Sequence, residues 1–206
     1  DMKILRQAVG IDVGREELVL CYMTKDEEMA EKVQGQNRFA NTEVGIRSLS
    51  RWINRVVVAP DLSCVVVLES TGVYGEKVSY ALHEQGFHVS IVLPVKARNF
   101  ARSLSGKSKT DMIDARMLAT MGVERPMRRW SPPSPILYQL RQLTREMSSL
   151  KELKTREQNR MHAALDMYHE SRPLVRRIRT LIAFYEKQIK EITQEIEQVW
   201  SSDDDL

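Results

Sequence analysis

The sequence predicts an α/β fold: a mixed sheet flanked by helices, followed by an antiparallel helical hairpin. Three observations carry this. The first third alternates short apolar runs with turn residues. Two continuous apolar runs, SCVVVLES (63–70) and FHVSIVLP (87–94), are separated by a helix-like stretch. Beyond SPPSP (131–135) the apolar residues recur only at helical spacing. Val-rich runs without alternation read as strands buried on both faces. Strands that alternate with helical stretches make β-α-β crossovers.

Taken in order, AVGIDV (8–13) and LVLCYM (18–23) are the first two strands, joined as a hairpin by Gly14 and the Arg15-Glu16-Glu17 cluster. Residues 31–36 supply a third. Asn41 or Thr42 caps a helix with an apolar face of Val44, Leu49, Trp52, Ile53 and Val56. The Val-rich strand 63–70 is broken by Thr71-Gly72. A helix over about 73–85 follows and Gly86 ends it. The strand 87–94 leads into a basic, serine-rich loop, and a helix opens near Thr110. The prolines of 131–135 continue neither helix nor sheet and mark a linker. One long helix then spans about 136–169, and a second starts near Pro173. The second presents Ile178, Ile182, Tyr185, Ile189, Ile192, Ile196 and Val199, with gaps of four and three throughout, which is a coiled-coil seam. The first answers with Leu140, Leu143, Met147, Leu150, Met161, Ala164 and Tyr168. The seam closes within the hairpin or between subunits.

The 206 residues are 42% hydrophobic and 29% charged, which is globular composition. The net charge of +3 is unevenly spread: residues 95–129 hold nine Lys/Arg against three Asp/Glu, and residues 186–205 hold seven acids against two lysines. Such asymmetry points to a local anionic partner. No apolar run reaches the roughly 18 residues of a membrane helix, and no secretory leader pattern opens the chain. Cys21 and Cys64 sit apart in apolar runs with no CxxC spacing, which argues against a disulfide framework and for a reducing cytoplasm. The order Asp1-Met2 suggests a fragment.

Four acids stand in unusual settings. Asp12 lies inside the first apolar strand, Glu69 ends the most hydrophobic one, and Asp111 and Asp114 open a helix at positions i and i+3, on one face. A carboxylate beside a core is costly unless it is compensated, and Mg²⁺ prefers such oxygen ligands. Four converging carboxylates would hold two ions about 4 Å apart, the arrangement that activates a nucleophile and steadies a leaving oxygen in phosphodiester cleavage. The ordinary readings are a helix with an acidic first turn behind Thr110, a turn at Glu69 and a solvated acid before Gly14. Spacing alone leaves the two sets open. Lys96, Arg98, Arg102, Lys107 and Lys109 crowd the approach to Asp111. They suit sequence-independent phosphate contacts, or else form a solvated loop. Arg172, Arg176, Arg177 and Arg179 make a second basic patch near the hairpin tip. Trp52 reads as core and Trp130 as packing at the domain junction, while His83, His88, His162 and His169 lack a zinc spacing.

GIDVG around Asp12, LESTGVY around Glu69 and KTDMIDARMLA around Asp111 and Asp114 resemble the Asp-Glu-Asp-Asp transposases of bacterial insertion sequences, which include pilin-gene DNA invertases and bridge-RNA-guided recombinases. The resemblance runs from about Val9 to the end of the chain. It implies an RNase H-like (RuvC-like) nuclease domain over 1–130, the proline linker 131–135 and a coiled-coil hairpin over 136–206. Asp12, Glu69, Asp111 and Asp114 would be a catalytic tetrad binding Mg²⁺ or Mn²⁺. DNA would be the partner, with a guide RNA in some members and a dimer or tetramer built through the coiled coil. Family members continue into a C-terminal domain with a serine nucleophile. Residues 201–206, SSDDDL, do not match that motif, so the resemblance implies the N-terminal part of such a protein, without complete strand exchange.

Two other classes stay open: a nucleic-acid-binding dimerisation module with no metal chemistry, and a sugar-kinase or Hsp70-like ATPase. The last also starts a sheet with an acid in GIDxG but needs further phosphate-binding glycine loops, which this sequence does not show.

Overall fold

The computed structural model describes residues 3–70, 72–104, 111–169 and 171–201, the side chains of residues 111–113 excepted. It divides into two compact units, Asp1–Pro132 and Pro133–Leu206.

The first unit is the expected mixed sheet flanked by helices. Its five strands are β1 (Ile4–Val13), β2 (Glu17–Asp26), β3 (Glu31–Ala40), β4 (Cys64–Glu69) and β5 (His88–Val92), in the order β3-β2-β1-β4-β5. β1 runs antiparallel to β2, and β2 to β3, while β1, β4 and β5 are parallel. β1 and β2 are buried on both faces, as their unbroken apolar runs require.

The helices are α1 (Glu43–Val56), α2 (Glu76–Glu84), α3 (Pro94–Ser103) and α4 (Asp111–Glu124), with a 3-10 turn over Gly72–Gly75 before α2. Thr42, not Asn41, caps α1, its hydroxyl accepting from the Gly45 amide at 3.2 Å. Ile46, Leu49 and Ile53 of α1 and Val78 and Leu82 of α2 pack on one sheet face, against Val9, Ile11, Val66, Leu68 and Val89. α3 and α4 cover the other face, where Ala8, Cys21, Val67 and Val92 meet Ala97, Phe100, Ala115, Leu118 and Ala119. From Met117 to Val123 every residue of α4 is buried, so this helix is apolar nearly all round.

Three expectations are corrected. The basic segment after β5 is a helix, α3, not a loop. Pro94 sits at its first position, where a proline lacks only an unneeded N–H, and Ala97, Phe100, Ala101 and Leu104 form its inner face. Val44 is 62% exposed and lies off the buried face of α1, which Ile46 occupies instead. Tyr168 is 96% exposed and outside the seam, because α5 ends at Leu165.

The second unit consists of α5 (Pro135–Leu165), capped by Ser134, and α6 (Arg172–Ser201). Contacts between Met147 and Thr193, Lys154 and Glu186, and Ala164 and Val175 advance along one helix and retreat along the other, so the two run antiparallel. Val175, Ile178 and Ile192 are buried on α6, and Leu150 and Ala164 on α5. Glu157 interrupts the apolar seam at 4% exposure and takes a 2.6 Å ion pair from Arg160.

Candidate metal and nucleic-acid site

β1 and β4 are parallel neighbours, and the last pair in their register is Ile11 with Leu68. One residue further on, Asp12 stands beside Glu69, each at the C-terminal end of its strand. Strand residues alternate between faces, so the neighbours fix the face. A Cβ on Gly122 of α4 would strike Ala8 Cβ and Val67 Cγ2, and a Cβ on Gly10 would overlap the Ala115 carbonyl and the Ala119 amide. Ala8, Gly10 and Val67 therefore face α4, and period two puts Asp12 and Glu69 on that face as well.

α4 brings the third acid. The contact between Gly10 and Ala115 is backbone against backbone, and Asp114 is the residue before Ala115. Asp12, Glu69 and Asp114 are all half-buried at the edge of a packed core. The three thus share one sheet face and one end of the sheet. Their donors are all carboxylate oxygens, which suits a hard divalent cation. Among the described residues no group of three or more His, Cys, Asp or Glu side chains gathers closely enough to hold a metal ion. Asp111 begins α4, but its side chain lies outside the described residues.

The backbone around the acids is tied down. The Ser70 amide donates to the Val92 carbonyl at 2.8 Å, extending the β4–β5 ladder past Glu69. Asn41 joins the segments that follow the two acid-bearing strands: its Nδ2 donates to the Gly14 carbonyl at 2.9 Å and the Tyr74 carbonyl at 3.0 Å. Its own amide donates to the Glu16 carbonyl at 2.8 Å, while its Oδ1 is buried with no partner among the described residues. Sequence reasoning offered Asn41 only as a cap; contacts 27 and 33 positions apart leave no local signal.

β5 ends at the same sheet edge, since Glu69 pairs with Val92, and α3 starts two residues later. Lys96, Arg98 and Arg102 are exposed on α3, the first of them in the turn nearest the acids. Lys107 and Lys109 lie outside the described residues. Arg172, Arg176 and Arg177 are exposed on α6, in the other unit.

The remaining candidates are structural. Trp52 packs against Phe39 at 6.2 Å between ring centroids. Trp130 stacks edge-on to Tyr80 and His83, and its amide donates to the Val89 carbonyl at 2.8 Å. His83 Nδ1 and His88 Nε2 are buried without a partner among the described residues. Cys21 and Cys64 are free thiols. Burial pushes the Cys21 thiol up from its ordinary value and the Cys64 thiol up to about 12.

Comparison with known proteins adds the following. The family model DEDD_Tnp_IS110, described as a transposase, matches residues 9–170. The pilin gene-inverting protein of Moraxella lacunata is 29% identical over 164 residues, which is 79% of this chain and 48% of that protein. Its namesake in Moraxella bovis is 28% identical over 163 residues, with the same two coverages, 79% and 48%. The chain therefore spans about half the length of these curated relatives. Among solved structures, T. thermophilus RuvC in complex with Holliday junction substrate aligns with 13% identity and a TM-score of 0.39, over 57% of this chain and 97% of that one.

Proposed function

Because the chain belongs to the DEDD_Tnp_IS110 transposase family, we propose that it carries the RNase H-like (RuvC-like) nuclease part and the helical hairpin of a DNA transposase or site-specific recombinase. The substrate is a DNA phosphodiester, handled in the bacterial cytoplasm during transposition or inversion. The observation that carries the reading is the position of Asp12 and Glu69, each one residue past Ile11–Leu68, the last pair of two adjacent parallel strands, on the face where Asp114 arrives through the contact between Gly10 and Ala115.

In this reading Asp12, Glu69, Asp111 and Asp114 hold Mg²⁺ or Mn²⁺, two ions in all. The bound cations supply an activated nucleophile and a counter-charge for the leaving oxygen. The chain's own residues do the positioning. The β1–β4 register keeps two carboxylates side by side, and α4 sets the others from a fixed backbone contact. Lys96, Arg98 and Arg102, with Lys107 and Lys109 beyond the described residues, neutralise the phosphate backbone that approaches the same corner. The hairpin unit adds Arg172, Arg176 and Arg177 to the nucleic-acid surface and supports assembly of identical chains.

A second reading is a nucleic-acid-binding dimerisation module with no metal chemistry of its own. One observation favours it: the three described acids do not close into one ligand shell. Calorimetric titration of the full chain with Mn²⁺ decides between them. The metal reading expects heat in the wild type that is lost in Asp12→Ala and Asp114→Ala. Equal heats in all three proteins, or none in the wild type, would reject the tetrad in favour of the second reading.

A further inference from the structure

We propose that the closed end of the α5–α6 hairpin binds single-stranded nucleic acid, with Tyr168 as the stacking platform for an unpaired base. The argument starts from charge. The first fourteen residues of α6, RPLVRRIRTLIAFY, contain four arginines and no acid. A helix N-terminus is the positive end of the backbone dipole, where cations are disfavoured and anions favoured. Arg172 in the first turn opposes the dipole, three more arginines follow within the next two turns, and an anion at this end would gain from the dipole and the arginines together. Arg172, Arg176 and Arg179 recur at spacings of four and three, so they line one flank beside the buried Val175 and Ile178. Among the described residues none of the three has an ion-pair partner. The segment joining the helices contributes Asp166 and Glu170 by sequence, so the arginine flank begins only after it.

Aromatic exposure makes the site more than a phosphate contact. Tyr168 is 96% exposed, and its ring lies edge-on to His169 with centroids 4.7 Å apart. An exposed ring four residues before the first of these arginines in the sequence matches how single strands are bound: backbone phosphates on the cations, a base face on the aromatic. A duplex keeps its bases stacked inside and would use only the arginines.

The inference rests on the reading that the chain handles nucleic acid, and the test separates the two. Anisotropy titrations of the full chain use fluorescent strands of about twelve nucleotides: single-stranded DNA, single-stranded RNA of the same sequence, and the DNA duplex. Tyr168→Ala is expected to weaken single-strand binding about tenfold, with Tyr168→Phe restoring it and duplex binding unchanged. Arg176→Ala with Arg179→Ala is expected to lower the salt slope for single strands by about 1.4. The DNA and RNA arms report which sugar the site takes. Unchanged single-strand affinity in Tyr168→Ala, no rescue by phenylalanine, or loss of duplex binding in parallel would each overturn the tip site. Duplex binding without single-strand binding removes the tip and leaves the nucleic-acid reading intact. No binding to any of the three removes both.

Discussion

Gly10 of β1 and Ala115 of α4 meet backbone to backbone: a side-chain carbon on Gly10 would overlap the Ala115 carbonyl oxygen and the Ala119 amide nitrogen. The sheet and the helix that carry the acids are held at a separation only glycine permits. Gly10→Ala must push α4 outward, and overpacking of this kind costs about 1–3 kcal/mol. The expected outcome is a lower melting temperature together with weaker Mn²⁺ binding, because Asp114 moves with the helix. A Gly10→Ala protein that melts like the wild type would show that the close approach matters little.

Asn41 links the turn after β1 to the turn after β4 through two carbonyls. Asn41→Ala removes both bonds and is expected to cost about 1–2 kcal/mol. Its distinguishing effect is local: hydrogen exchange should accelerate over residues 72–76, while the β1–β4 ladder keeps its protection. Asn41→Asp keeps the shape but loses the donating nitrogen, so it should behave like the alanine variant. Retained protection at Tyr74 in both variants would remove Asn41 from any role in ordering that turn.

How much of this was legible in the sequence depends on the range of the interaction. Val65 to Leu68 and the isoleucines of α6 announce themselves, because burial on two faces and a repeat of four and three are written in consecutive residues. Asp12 and Glu69 were visible as acids inside or ending apolar runs. The close packing of α4 was not. Gly10, Ala115, Ala119 and Gly122 act by being small, and small residues leave no hydrophobic signature. α3 leaves little signal because Pro94 ends a strand and starts a helix equally well, and because three cations are interleaved with its four apolar residues, two of which are alanines. Tyr168 was placed in the seam by extending the spacing past Leu165, where the helix has already stopped.

Glu69→Gln keeps the shape of the strand end and removes one negative charge beside Asp12. If the two carboxylates share a cation, Mn²⁺ affinity falls at least about tenfold, since a neutral amide is a poor ligand for a hard ion. Without metal, the same change removes a like-charge neighbour, so the melting temperature stays level or rises. The opposite pairing of results, unchanged affinity with lower stability, would make Glu69 a structural acid. Titration calorimetry and thermal melts in chelator measure both.

Alkaline stability follows from the two thiols, Cys21 buried and Cys64 partly buried. Burial raises Cys64 from the ordinary thiol value of 9.0 to about 12, and burial also raises Cys21. A raised folded-state value means that, above pH 9, the unfolded chain releases protons that the folded chain keeps. Stability from this source is therefore full below pH 9 and is lost as the pH climbs toward 12. Cys64→Ala removes that proton linkage, though the lost packing lowers stability by a constant amount at every pH. Melting temperatures between pH 8 and 11 should fall less steeply in Cys64→Ala than in the wild type. Both thiols should also resist a thiol-reactive dye at pH 8 until the protein is unfolded, because the reactive thiolate is suppressed and the sulfur is shielded. Parallel slopes in the two proteins, or rapid labelling of the folded chain, would mean that Cys64 is not held in the apolar layer beneath α1 and α2.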